Sequence, residues 1–108
     1  MEKLPVLFRR PRGKAAFADD GVTAVFPTLG WATAYDMTCY AHVGQHGACD
    51  KPWYRTTRPA SPAEYSDLLR ELQGIYGVSN GDGDEAYELV VVSRITRQHD
   101  TARRVSVQ

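Results

Sequence analysis

The chain has 108 residues, of which 43% are hydrophobic and 24% are charged, and its 13 Lys and Arg residues balance its 13 Asp and Glu residues. These proportions are those of an ordinary globular domain, and they argue against the disordered, collagen-like and disulfide-scaffold classes. Zero net charge argues against a general polyanion-binding protein. The length predicts one domain over residues 1–108, with residues 98–108 as a flexible tail.

The location of the protein is predicted from three features that the sequence lacks. No apolar run is long enough to span a membrane, and the first residues show neither a long apolar core nor a small-residue cleavage site. Two cysteines in a chain of this size are more typical of reduced thiols than of a disulfide framework. We therefore predict a cytoplasmic protein that does not bind membranes.

The charges alternate in blocks along the chain. Residues 1–18, 51–62 and 93–104 are basic, whereas residues 19–50 and 63–92 are acidic. Two interpretations stay open: the basic blocks pair with the acidic helix and loop, or they combine into a local basic patch.

The first third of the chain predicts two strands and a loop. Residues 4–9 (LPVLFR) form a short apolar run that a turn-like segment ends, and residues 22–26 (VTAVF) are rich in β-branched residues. Pro27 should end the second strand or place it at a sheet edge. The loop that follows contains Trp31 and Tyr35, which we predict to be buried.

The middle of the chain predicts a hairpin. Residues 37–43 (MTCYAHV) alternate, with Met37, Cys39, Ala41 and Val43 on one face and Thr38, Tyr40 and His42 on the other. Residues 44–52 (GQHGACDKP) read as a glycine-rich connection, and residues 53–58 (WYRTTR) read as the returning strand.

The strongest element is an amphipathic helix. Ser61 as N-cap, Pro62 at the first helical position and Glu64 make a capping box, and Gly77 is a natural stop. The apolar stripe of this helix comprises Tyr65, Leu68, Leu69, Leu72, Ile75 and Tyr76.

A long strand over residues 87–96 follows the helix, and its two apolar faces place it inside the sheet or under the helix. After it, the tail is either a short helix or partly disordered. The fold class is therefore α+β: one antiparallel sheet of about four to five strands, with one amphipathic helix packed on one face.

Cys39, His42, His46 and Cys49 are the strongest candidate metal ligands. Thiolate and imidazole suit zinc, and four of them would close a tetrahedral site. However, the strand period sends Cys39 and His42 to opposite faces. The sequence therefore favours a strand that enters a turn, with no metal and no cofactor.

Two further hypotheses have partial support in the sequence. Asn80, Asp82 and Asp84 alternate like the first ligands of a calcium loop, but Glu85 stands where glycine is needed, so an acidic turn is favoured. Two histidines near an arginine suit acid–base cleavage of a phosphodiester, with His42, His46, Tyr54 and Arg55 as the candidates. No nucleophile elbow or phosphate loop supports an enzyme.

The favoured function is a non-catalytic binding or regulatory module. Its predicted surface combines the HVGQHG loop and the WYRTTR segment and comprises His42, Gln45, His46, Trp53, Tyr54, Arg55 and Arg58. A protein partner or a homodimer is the first expectation, since aromatic and arginine side chains dominate protein contacts. The alternatives are a nucleic-acid-binding protein that uses Arg55, Arg58 and the terminal arginines, and a metal-binding or histidine-based hydrolase.

The segments AVFPTLGW, CYAHVGQHG, WYRTTRPASPAEYSDLLRELQGIYG and YELVVVSRIT also carry a resemblance. The chain resembles small proteins of no assigned activity that bacterial mobile elements encode, on phages, plasmids and gene cassettes. The resemblance covers residues 5–104 and rests on Phe26, Pro27, His42, Val43, Gly44, Gln45, His46, Tyr54, Arg55, Thr57, Arg58, Pro59, Glu64 and Tyr65. It implies a bacterial accessory protein and no catalytic residue.

Overall fold

The computed structural model describes residues 2–12, 21–41, 45–77 and 86–105. Its longest strand is β1 (Glu2–Pro11). The other strands are β2 (Thr23–Phe26), β3 (Leu29–Gly30), β4 (Met37–Ala41), β5 (Gln45–Cys49), β6 (Thr57–Pro59), β7 (Tyr87–Val91) and β8 (Arg104–Val105). The helices are α1 (Lys51–Arg55), α2 (Pro62–Tyr76) and α3 (Arg97–Ala102). The α+β prediction is confirmed.

The main sheet differs from the prediction in size and direction. Six strands form it in the order β5-β4-β2-β1-β6, with β7 also paired to β1, and β7 runs parallel to β1 while the other pairs are antiparallel. The predicted antiparallel sheet of four to five strands is therefore corrected to a mixed sheet of six. The reason is the length of β1: β7 pairs with its first half and β6 with its last three residues.

Helix α2 covers one side of the sheet, which we call the α2 face. Leu4, Val6 and Phe8 of β1 pack there with Leu68 and Leu72 of the helix. The stacked rings of Phe8 and Tyr65, 4.4 Å apart, join the same two elements. Burying this stripe stabilises a helix that would be marginal alone.

The caps of α2 are as predicted. The Ser61 side chain accepts from the backbone N–H of Glu64, whose carboxylate accepts from the Ser61 N–H, and Gly77 follows the last helical residue. A side chain at Gly77 would meet the carbonyl oxygen of Gln73 at 2.4 Å from its Cβ, so this position requires glycine. The predicted stripe is too wide by one residue, since Ile75 is exposed.

The other side of the sheet, which we call the opposite face, carries a second core. Leu7, Val25, Met37 and Cys49 are buried there, and Trp53 and Tyr54 of α1 pack against them.

Two predictions for this part of the chain are wrong. The predicted connection over residues 44–52 contains a strand, β5. The predicted strand over residues 53–58 is also wrong, because its first half is helical. The side chain of Asp50 caps the N–H of Trp53 at 2.9 Å, and a proline in the first turn favours this helix start.

The loop after β3 places its aromatic residues outside. Tyr35 is 88% exposed and Trp31 is 39% exposed, so the prediction that both are buried is wrong. The carboxylate of Asp36 accepts from the backbone N–H groups of Trp31, Ala32 and Thr33. Desolvation raises the pKa of Asp36, but these three bonds outweigh it and the pKa lies below its usual value. The loop is shaped by hydrogen bonds to one carboxylate rather than by aromatic burial.

The C-terminal segment docks onto the rest of the chain. Of the two predicted alternatives for the tail, a helix is found, because α3 begins after a capping box between Thr96 and His99 and β8 then pairs with β3. Residues 106–108 lie outside the described part. The preceding strand, β7, is shorter than predicted and ends at Val91. It pairs only with β1 among the described strands, so the predicted position inside the sheet is wrong, whereas Tyr87 and Leu89 pack against the core under α2, as the other alternative predicted.

A pH-dependent stability follows from Glu64. Arg58, the Ser61 N–H and Arg10 all bond to its carboxylate, and together they hold its pKa well below the ordinary value of 4.5. A lowered folded-state pKa gives stabilisation that is complete above the unfolded-state pKa and is lost as the pH falls through the folded-state pKa. Urea unfolding should therefore show stability falling below about pH 4.5. In Glu64→Gln, stability should be lower at pH 7 and should fall less steeply in acid.

Asp67→Asn is the matched control for Glu64→Gln, since Asp67 lies on the same helix and its exposed carboxylate pairs only with exposed Arg70 among the described residues. Its acid dependence should parallel that of the wild-type protein. Parallel acid curves for Glu64→Gln and the wild-type protein would contradict the assignment.

Candidate functional site

The structure distributes the predicted binding surface over both sides of the sheet. His46 lies on the α2 face, because it pairs with Tyr40, whereas Trp53, Tyr54 and Arg55 lie on α1 at the opposite face. Arg58 returns to the α2 face, where it bonds to Glu64. His42 lies outside the described residues, and Gln45 is described only as the first backbone position of β5. The described members of the predicted surface therefore do not share one cleft.

On the α2 face, His46 is part of an aromatic cluster that joins the hairpin to α2. Its Nε2 is 2.7 Å from the Tyr76 hydroxyl, and its ring is 4.7 Å from that of Tyr40. Tyr40 is only 4% exposed and donates to Glu71. Burial lowers the pKa of His46 and is the main cause that raises the pKa of Tyr76 to about 12. The hydrogen bond between the His46 ring and the Tyr76 hydroxyl joins the β4–β5 hairpin to α2.

The candidate metal ligands are also divided. Cys39 and Cys49 lie on the opposite face of the neighbouring strands β4 and β5, and His46 lies on the other side of the same hairpin. Among the residues that the structure describes, no group of three or more His, Cys, Asp or Glu side chains is placed to hold a metal ion. His42 and the acidic loop with Asn80, Asp82, Asp84 and Glu85 lie outside the described residues.

The histidine-based catalytic arrangement is separated in the same way. Tyr54 and Arg55 belong to α1 on the opposite face, whereas His46 is engaged with Tyr76 on the α2 face. No general acid–base pair is therefore formed by His46 with either residue in the structure.

A different cluster forms around Tyr54. The guanidinium carbon of Arg9 lies 4.3 Å from the centre of the Tyr54 ring, a cation–π contact. Arg9 also donates from Nε to the Thr57 hydroxyl and from Nη2 to the Thr57 carbonyl, both at 2.8 Å. Arg9 is only 6% exposed, and desolvation, reinforced by the nearby Arg12, lowers its pKa. An arginine remains charged even so, which makes Arg9 a buried cation held by neutral groups.

Three further arginines are linked to this cluster through Thr57, through Tyr54 or through a residue that contacts Tyr54. Arg12 donates from Nε to the same Thr57 carbonyl at 3.0 Å, and exposed Arg55 follows Tyr54 directly on α1. Exposed Arg94 precedes Ile95, whose N–H lies 3.4 Å from the Tyr54 hydroxyl. We call these five residues, Arg9, Arg12, Tyr54, Arg55 and Arg94, the Tyr54 surface. Within the described part of the chain, none of its four arginines forms an ion pair with a carboxylate.

The pairing of basic blocks with the acidic helix is found for two arginines, and the local basic patch stays a prediction. Arg10 and Arg58 pair with Glu64 of the acidic helix on the α2 face. The Tyr54 surface instead draws one or two arginines from each of the three basic blocks. The strand period decides between these outcomes for Arg9 and Arg10, because neighbouring residues of β1 point to opposite sides of the sheet.

The sequence predicted that terminal arginines join Arg55 and Arg58, but it did not single out Arg9, Arg12 and Arg94 or link them to Tyr54. The basic blocks were a usable signal, since they contain all four arginines. The sequence does not show that β6 pairs with the end of β1. This pairing places Thr57 beside both Arg9 and Arg12.

Comparison with known proteins adds no relative. No protein-family model matches the chain, and neither a curated protein nor a solved structure is similar enough to count as a match. None of the helices in the described ranges has the length and apolar character that crossing a membrane requires.

Proposed function

We propose that the chain is a non-catalytic binding module whose ligand is single-stranded nucleic acid, held at the Tyr54 surface. The observation that carries the proposal is the contact of buried Arg9 with the half-buried Tyr54 ring. Arg12, Arg55 and Arg94 lie on the adjoining segments, and no carboxylate pairs with any of the four arginines in the described residues. Uncompensated guanidinium groups attract phosphates, and neighbouring aromatic rings offer stacking platforms for bases.

The electrostatics of the buried member support an anionic ligand. Arg9 is buried, and its described partners are a hydroxyl, a carbonyl and an aromatic ring. No carboxylate of the described residues pairs with it, so its charge raises the potential at the surface. Arg12 and Arg55 contribute exposed guanidinium groups on the adjoining segments. A zero net charge over the whole chain is compatible with such a patch, because the balancing acids lie in other segments.

The cellular context is part of the same proposal. The two free cysteines suit a reducing compartment, so we place the protein in the bacterial cytoplasm. The resemblance to proteins of mobile elements stays a prediction and is compatible with a small nucleic-acid-binding accessory protein.

The test is a salt titration with a labelled single-stranded oligonucleotide of about 16 nucleotides, the upper site size of small single-strand-binding folds. Binding should weaken as salt rises, with a slope in log affinity of about 0.7 for each phosphate contacted. Arg55→Ala and Arg94→Ala should each weaken binding and reduce that slope by about 0.7, because each removes one phosphate contact. Fluorescence anisotropy measures both quantities.

Arg70→Ala is the control for these variants, because Arg70 is an exposed arginine of α2, on the other side of the sheet. It should leave both affinity and slope unchanged. Absence of binding at low salt, or an equal loss in Arg70→Ala, would refute the proposal.

A protein partner is the second candidate, and one observation favours a homodimer. Strand β5 ends the order of the main sheet, so its outer edge pairs with no other strand of the described residues. Such an edge is able to pair with a second copy of the chain. Analytical ultracentrifugation distinguishes the candidates, because a dimer without oligonucleotide binding supports only this one.

A further inference from the structure

Cys39 and Cys49 form a paired-thiol site that the proposed function does not use. In the register of β4 and β5, Cys39 faces Gly47 and Cys49 faces Met37, so the two cysteines lie diagonally on the same face. Both line one open cavity of about 520 Å³, together with Asp36, Asp50 and Trp53. Cys39 is half-buried, and both thiols are free.

Geometry brings both thiols to one wall. Cys49 belongs to the buried core of the opposite face, and Cys39 packs against that core. In keeping with this proximity, the pKa of Cys39 is lowered, chiefly by hydrogen bonding with Cys49, and the pKa of Cys49 is raised by the same interaction and by burial. Two thiols on the wall of one cavity are placed to bind the same ligand.

A disulfide does not suit this pair. Diagonal neighbours in an antiparallel sheet have Cα atoms about 7–8 Å apart, whereas a disulfide needs about 4.4–6.8 Å. Two metal–thiolate bonds of about 2.3 Å each span up to about 4.6 Å between sulfurs, so a bridging ion asks less of the backbone.

The donor set selects the kind of ion. The described residues offer no third His, Cys, Asp or Glu in ligating position, so the tetrahedral coordination that zinc prefers is incomplete. Soft monovalent ions such as Cu(I) accept two or three sulfur donors and favour thiolate and thioether ligands. Met37, paired directly with Cys49 and buried in the same cluster, adds a third sulfur beside the pair.

We propose that Cys39 and Cys49 bind one soft monovalent metal ion of the Cu(I) class at the wall of this cavity. Both thiols lose their protons to solvent, two metal–sulfur bonds form, and the ion keeps its oxidation state. The site lies on the same side of the sheet as Trp53, which therefore reports on occupancy.

The experiment is an anaerobic titration of the reduced full chain with Cu(I), in competition with a Cu(I) chelator. We expect one ion per chain, near-ultraviolet thiolate-to-copper charge-transfer absorbance and quenched Trp53 fluorescence. Cys39→Ser should weaken binding by more than the roughly 10–100-fold that loss of an outer-shell group costs, because a direct ligand is removed. Cys49→Ser should do the same, and the half-buried position of Cys39 keeps its variant informative if the buried one unfolds.

His46→Ala is the matched control, because it removes a potential ligand of the same hairpin that lies on the α2 face. It should leave Cu(I) affinity unchanged, and Zn(II) should not bind stoichiometrically. The proposal is overturned if the reduced chain binds no Cu(I), if Cys39→Ser retains full affinity, if Zn(II) binds as tightly, or if a Cys39–Cys49 disulfide is the only product.

Discussion

Replacing Phe26 by alanine should lower the free energy of unfolding by about 3–5 kcal/mol, the usual cost of deleting a buried phenylalanine ring. Phe26 is fully buried at the end of β2, and its ring lies 5.0 Å from that of Tyr76 at the end of α2. The loss combines the transfer energy of the ring with the cavity that remains, since the sheet and the helix enclose it from both sides. Urea unfolding followed by circular dichroism measures the change.

Tyr35→Ala is the control for Phe26→Ala, because Tyr35 is an aromatic residue in a loop nearby and is 88% exposed. Its free energy of unfolding should stay within about 0.5 kcal/mol of the wild-type value. If Phe26→Ala proves too unstable to purify, Phe26→Leu should show the same direction with a smaller loss. Equal effects at the two positions would contradict the burial assigned here.

Arg103→Ala should release the C-terminal segment and lower the free energy of unfolding by about 1.5–3 kcal/mol, the range for a hydrogen bond to a charged group. The Arg103 side chain is 5% exposed and donates to the Pro27 carbonyl at 2.8 Å, the Ala34 carbonyl at 3.1 Å and Asp100 at 2.6 Å. One guanidinium group thus ties α3 to the loop that surrounds β3. Asp100 also pairs with Lys51 at 2.6 Å, which extends the network to α1.

Hydrogen exchange locates the effect of Arg103→Ala. The Arg104 N–H donates to the Thr28 carbonyl at 2.9 Å, and its protection should be lost while that of β1 remains. Arg103→Lys should recover little, because one ammonium group does not reproduce a planar fork that reaches three acceptors. Arg97→Ala, at an exposed arginine of the same helix, should change stability by less than about 0.5 kcal/mol. Full protection at Arg104 in Arg103→Ala would show that β8 docks without this side chain.

The two surfaces proposed here lie on the same side of the sheet but rest on different residues. The Tyr54 surface depends on arginines of three segments, whereas the thiol pair belongs to the β4–β5 hairpin. Trp53 lies beside both, since it precedes Tyr54 on α1 and lines the cavity of the thiols. Oligonucleotide binding and Cu(I) binding can therefore be tested separately with Arg55→Ala and Cys39→Ser.

Local patterns in the sequence determined the elements whose signals lie within a few residues. The capping box of Ser61 and Glu64, the stop at Gly77, and the alternation of β4 are all set by spacing along the chain, and the structure confirms them. The separation of His46 from the cysteines, in contrast, follows from β5, which the sequence did not predict. The predictions of the caps and of the alternation are confirmed because these features depend only on the backbone geometry of residues close together in sequence.

Tertiary structure alone decided the rest. Residues 51–55 form a helix where the end of a connection and the start of a strand were predicted, because an Asp50 cap and a second core favour α1. Arg9 and Arg10, adjacent in sequence, have a tyrosine and a glutamate as partners because α1 and α2 pack on opposite faces of the sheet. The placement of Cys39 and Cys49 on one face likewise depends on the register of β4 against β5. Partners brought together over tens of residues are set by pairing and packing of whole elements, which no local pattern in a single sequence records.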